Sequence, residues 1–210
     1  MTLTAWFAFA AASTVLLLIP GPTVLLVVSY ALTQGRRVAL ASVAGVALGD
    51  FTAMTLSLAG LGALLLASAT LFTVLKWIGA ADLVYLGVKL WRATPALPTV
   101  DGVDGVAGEG EARGIFFHAF VVTALNPKSI AFFVAFVPQF IEHQAPLLPQ
   151  LAIMEATFVG LATLNALLFA IAANGLRSRV RRPNVLKWLN RTGASCLVGM
   201  GAATATLSRN

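Results

Sequence analysis

The chain has 210 residues, 59% of them apolar, and carries 14 basic and 8 acidic side chains for a net charge of +6. Soluble globular proteins average about 45–50% apolar and about 25% charged residues, so a charged fraction of 10% cannot cover a water-facing surface. A soluble globular domain, a disordered chain and a nucleic-acid binder are excluded, and the charges, segregated between apolar runs, read as topology signals rather than as a face for an acidic partner.

The residues from Met1 to Trp6 carry no basic side chain, so the first apolar run is expected to remain as a span rather than be cleaved as a signal peptide. Crossing a ~30 Å hydrocarbon core takes ~20 apolar residues in a helix. Six runs qualify, at 3 to 33, 38 to 67, 70 to 91, 115 to 140, 148 to 174 and 186 to 207. The joints are Gln34-Gly35-Arg36-Arg37, a short turn from Ala67 to Thr70, the Gly/Asp-rich stretch 93 to 113, Glu142 to Pro146, and the basic run from Arg177 to Pro183. The expected division is a three-helix unit at 1–92, a flexible cytoplasmic loop at 93–113 and a second three-helix unit at 114–210.

Orientation follows from the basic residues. Arg36, Arg37, Lys89, Arg92, Arg113, the four arginines between 177 and 182, Lys187 and Arg191 fall on one side, whereas the other side holds only Lys76 and Arg209. The positive-inside bias places the first set in the cytoplasm and both termini outside. Trp6, Trp77, Trp91 and Trp188 fall near span ends, where interface anchors belong.

The two halves resemble each other. A shift of 105 residues lays Pro22 on Pro127, Gly21 on Asn126 and Asp50 on Glu155, and Gly79 to Gly87 lies over Gly193 to Gly201 with five identities in nine. Three spans per unit force opposite orientations, so the expected fold is an all-α integral membrane protein of six transmembrane helices in two inverted repeats. In that architecture the binding site sits at midplane between the repeats. Pro20-Gly21-Pro22 and Asn126-Pro127-Lys128 lie halfway along the first and fourth spans. Prolines remove backbone donors and clash with the preceding turn, which predicts broken helices; the alternative is a simple kink. Freed backbone groups survive in lipid only where they face protein or a watery cavity, and half-helix N-termini attract anions such as a carboxylate.

The motifs, in order, resemble the LysE/RhtB family of bacterial amino-acid exporters: Pro20-Gly21-Pro22; Gly45, Gly49 and Asp50; Lys76-Trp77-Ile78-Gly79-Ala80 with Tyr85-Leu86-Gly87; Asn126-Pro127-Lys128, Phe132-Phe133 and Pro138-Gln139-Phe140; and Gly193-Ala194. The resemblance implies a six-helix carrier of the bacterial inner membrane that exports amino acids or close derivatives, driven by the proton gradient. Two positions depart from the pattern. Asp82 stands where relatives usually carry an uncharged residue, and Ala119 replaces a common glycine.

Ionisable groups inside spans cost ~2.5–3.5 kcal/mol or more at the helix centre and default to functional hypotheses. The candidates for substrate binding or proton coupling are Asp50, Asp82, Lys128 and Glu155, with Pro20, Gly21, Pro22, Asn126 and Pro127 at the breaks. The carboxylates are suited to a substrate ammonium or the coupled proton. Lys128 is suited to the substrate carboxylate, or to pairing with Asp50 or Glu155; the competing reading is a fixed internal ion pair. Asp82, six residues beyond Lys76, needs a partner from another helix, and slightly favours a cationic substrate. Lys76 and Lys89 are expected to snorkel, His118 is a weak relay candidate, and Asn165 is expected to bond across helices.

No HExxH, GxSxG or His-rich pattern is present, so no enzyme activity is expected. Cys196 is alone and His118 and His143 are the only histidines, which supplies neither a disulfide nor a soft-metal site; no cofactor is expected. The expected partners are an amino acid or related small molecule, protons and membrane lipid. Small-residue faces suit a monomer or a homodimer. The alternative function is a carrier or channel for another small solute or cation.

Overall fold

The computed structural model describes residues 1–19, 21–33, 36–67, 69–92, 109–142, 144–180 and 183–206. Within them the chain is all-α: α1 (Leu3–Leu18), α2 (Pro22–Thr33), α3 (Arg36–Ala67), α4 (Ala69–Arg92), α5 (Glu109–Ala124), α6 (Pro127–Ala135), a 3-10 turn (Val137–Phe140), α7 (Leu147–Val180) and α8 (Pro183–Thr206). Among the described residues, every run expected to span is helical apart from a break in the first and in the fourth. Pro20, residues 93 to 108, His143, Arg181, Arg182 and Arg209 lie outside the described residues. Helix α5 begins at Glu109, so the last part of the stretch expected as loop is helical.

The first and fourth runs are each broken, and each break has a local cause. Helix α1 opens on Thr2, whose hydroxyl accepts from Ala5 N at 3.3 Å, and closes where Ile19 turns extended at φ −71° and ψ 114°. Helix α2 restarts on Pro22, a residue with no N–H to lose in the unpaired first turn. At the second break Asn126 is the extended N-cap, and its side-chain oxygen accepts from Lys128 N at 3.2 Å while Pro127 opens α6. The bends are 57° between α1 and α2 and 41° between α5 and α6.

By length and hydropathy, Val38–Gly60 of α3 and Leu147–Ala173 of α7 can each cross a membrane, as can the two bent pairs taken as single spans. Helices α4 and α8, 24 residues each, complete the bundle. Large apolar side chains point outward, among them Leu18, Leu56, Ile78, Leu148, Leu164 and Ile171. A surface this apolar matches lipid rather than water.

Contacts fix the relative directions. Helices α1 and α7 run parallel, because Trp6 Nε1 donates to Thr157 Oγ1 at 3.0 Å and Asn165 Nδ2 donates to Leu17 O at 3.1 Å. Helices α3 and α5 are parallel too and nearly touch: a Cβ on Gly45 would lie 2.3 Å from Phe116 O, and one on Gly49 would lie 2.7 Å from Thr123 Cβ. Helices α4 and α8 are antiparallel. Gly87 abuts Ala194 and Val198, while Gly201 abuts Ala80 and Val84.

The core has two parts. On one side of the breaks, Phe9, Phe132, Phe133, Phe136, Phe140 and Phe158 form a continuous aromatic cluster, with Phe133 and Phe158 edge to face at 4.8 Å. On the other, Val27, Val43, Val46 and Ile115 surround Tyr30, whose hydroxyl lies 2.7 Å from His118 Nδ1 and ties α2 to α5. The end reached by the C-terminus of α4 and the N-termini of α5 and α8 carries Arg92, Arg113 and Arg191, with Arg191 over the Trp91 ring at 5.5 Å. The opposite end carries the amino terminus, paired with Glu142 at 3.3 Å.

Candidate transport site

Both breaks open onto one cavity. The end of α1 contributes Leu16 and Leu17, the first break Gly21, the start of α2 Thr23 and Val24, and α3 Val46 and Asp50. The second break adds Asn126, Lys128 and Ser129, and α7 adds Ala162, Asn165 and Ala166. The cavity volume is about 20 Å³, room for roughly one water.

Its polar groups are arranged by the breaks. Lys128 sits in the first turn of α6 and reaches across to the end of α1, where its Nζ donates to Leu16 O at 3.1 Å and Ile19 O at 3.0 Å. Leu16 O also accepts from Ile19 N at 3.2 Å, and the carbonyl end of α1 carries the negative end of its dipole. Asn165 completes the set by donating to Leu17 O. Asn126 Nδ2 donates to Thr23 Oγ1 at 3.3 Å, which links the two breaks directly, and Thr123 Oγ1 donates to the same hydroxyl at 3.4 Å.

Asp50 is 3% exposed and faces the same cavity. Lys128 lines it too, but no nitrogen–oxygen distance between them falls within 4 Å; among the described residues the ion pair within that distance is the amino terminus with Glu142. The fixed Lys–Asp pair weighed from sequence is therefore not formed. The physical reason is geometric: two convergent carbonyls at the end of α1 already hold the ammonium.

The structure thus brings together Gly21, Asp50, Asn126 and Lys128, with Pro22 and Pro127 opening the half-helices beside them. It separates Glu155 and Asp82 from them. Glu155 is half-buried on α7 and accepts a hydrogen bond from Thr55 Oγ1 of α3. Asp82 is half-buried on α4 and does not line the cavity, which removes the preference for a cationic substrate that rested on it. Sequence reasoning missed Thr23, Ser129 and the α1 carbonyls. Thr23 and Ser129 each follow a proline motif by one or two residues and were findable; the carbonyls carry no residue-type signal.

The chain matches the LysE type translocator family over residues 14–208. It is 34% identical over 207 residues to the homoserine/homoserine lactone efflux protein of Salmonella typhimurium, covering 98% of both chains, and equally similar to the protein of that name from Salmonella typhi. It is 32% identical over 206 residues to an uncharacterized membrane protein of Vibrio cholerae, again with 98% of both chains covered. No solved structure matches it.

Proposed function

We propose that this chain, which belongs to the LysE type translocator family, exports an amino acid or a close derivative from the cytoplasm by proton antiport with alternating access. The observation that carries this reading is the presence of one half-buried ammonium, Lys128, and one buried carboxylate, Asp50, in the lining of a single cavity between two helix breaks. A zwitterionic substrate needs one partner of each sign. The remaining polar wall, Thr23, Asn126, Ser129 and Asn165, is uncharged, which favours a small neutral side chain with hydrogen-bonding capacity. Homoserine, named together with its lactone for the Salmonella relatives, is of that class.

The reading places all six runs across the bacterial inner membrane as two inverted three-helix repeats, with both termini periplasmic. The helix directions support it: α1 runs parallel to α7 and α3 parallel to α5, while α4 and α8 run antiparallel, as alternating crossings require. So do the reciprocal contacts of Gly87 and Gly201, because the partners of one are the repeat-mates of the partners of the other. Proton coupling is assigned to Asp50, the carboxylate at the cavity. The cavity is far smaller than an amino acid, so loading requires the half-helices to part; a break leaves them free to do so. Uptake and counterflow in liposomes reconstituted with the purified protein, with and without a pH gradient, test this reading.

A further inference from the structure

The carbonyl end of α1, where Leu16 and Leu17 line the cavity, offers three acceptors, Leu16 O, Leu17 O and Ile19 O, and all three are engaged by side chains from other helices. Asp50 supplies a buried carboxylate in the same cavity. Convergent carbonyls at a helix C-terminus plus a carboxylate are what recognises a cation with several N–H donors. The group seated there is itself a primary ammonium, that of Lys128.

We propose that this seat is the subsite for the substrate's primary ammonium, and that Lys128 Nζ is a tethered surrogate which the substrate displaces and which then turns to the substrate carboxylate. The inference rests on the export reading and deepens it. Lys128 Nζ already occupies Leu16 O and Ile19 O, so a substrate ammonium takes those acceptors only as that of Lys128 leaves them. Gly21 keeps the exit open: a Cβ there would lie 3.2 Å from Lys128 Nζ and 3.4 Å from Cε. The exchange selects zwitterions. A ligand with both groups trades its ammonium for that of Lys128 and gives the displaced cation a carboxylate. A ligand with an ammonium alone strands Lys128 beside a second positive charge, and one with a carboxylate alone cannot take the seat.

Equilibrium binding to the purified full-length protein in detergent tests this with homoserine, homoserine lactone, N-acetylhomoserine and methylammonium. The wild-type protein is expected to bind homoserine at least about tenfold more tightly than the lactone, roughly one charge-assisted contact's difference, and N-acetylhomoserine not at all. In Lys128→Met, homoserine weakens by about tenfold while the lactone and methylammonium tighten, because their seat is vacated. Gly21→Ala, which crowds the ammonium without changing charge, shifts the ratio in the same direction by less. Amines that weaken together with homoserine in Lys128→Met, or that do not change, overturn the proposal. If Lys128→Met does not fold, equal wild-type affinity for homoserine and lactone, or an unchanged ratio in Gly21→Ala, overturns it. Homoserine binding in the wrong order defeats the subsite alone; a wild-type protein that binds none of the four defeats the export reading with it.

Discussion

Gly87 and Gly201 make mirror-image contacts: a Cβ on Gly87 would lie 2.7 Å from Val198 Cγ2 and 2.9 Å from Ala194 O, and one on Gly201 would lie 2.6 Å from Val84 Cγ2 and 2.8 Å from Ala80 O. Neither site accepts even a methyl group without pushing α4 and α8 apart. Gly87→Ala and Gly201→Ala are expected to destabilise the protein by similar amounts, about 1–3 kcal/mol each, as overpacking does. Gly199→Ala, with nothing within 4 Å, is expected to be near neutral. Thermal unfolding in detergent checks all three, and a large difference between the first two would argue against a local two-fold relation.

The two carboxylates that the repeat superposes occupy different surroundings, and their variants are expected to differ. Asp50→Asn removes the carboxylate that faces the Lys128 ammonium in the cavity and is expected to lower export by at least about tenfold. Glu155→Gln keeps an acceptor for Thr55 outside the cavity and is expected to change export less than about threefold. Efflux rates measured at matched membrane levels distinguish them.

Topology is tested by single cysteines in a Cys196→Ala background. Glu142 and Lys187 are both exposed and near opposite ends of the bundle. A membrane-impermeant thiol reagent added to intact cells is expected to label Glu142→Cys and spare Lys187→Cys, with the reverse in inside-out vesicles. Labelling of both from the same side would remove the inverted-repeat geometry.

Gln150, 2% exposed, staples the turn before α7: Glu142 N donates to its Oε1 at 2.9 Å, and its Nε2 donates to Glu142 O, Ala145 O and Pro146 O at 3.0 to 3.1 Å. Gln150→Leu removes those bonds; Glu142 O keeps Ala145 N at 3.2 Å, and each group left buried and unsatisfied costs about 1–3 kcal/mol. The expected result is lower thermal stability and faster proteolysis between 141 and 146. An unchanged cleavage rate would mean that the turn holds without it.

The helix breaks were legible because proline acts locally: Pro22 and Pro127 stand where the backbone restarts in the structure. Asp50 and Lys128 were legible as charges inside apolar runs, since that placement is costly wherever the helices go. The same rule could not separate them from Glu155 and Asp82, because burial in a shared cavity depends on helix rotation, and rotation is set by contacts such as Gly45 against Phe116 O. The carbonyl partners of Lys128 were not legible for a related reason. Charge patterns suggest carboxylates, whereas the ammonium is held by backbone carbonyls exposed only because α1 stops.

The central claim is that the cavity between the breaks carries a zwitterion outward against protons. The most direct test is homoserine counterflow in proteoliposomes of the wild-type protein, run with and without an imposed pH gradient and repeated with Asp50→Asn. The account predicts counterflow that accelerates when the gradient opposes homoserine movement, and loss of that acceleration in Asp50→Asn. Homoserine flux that ignores both the gradient and the substitution would contradict it.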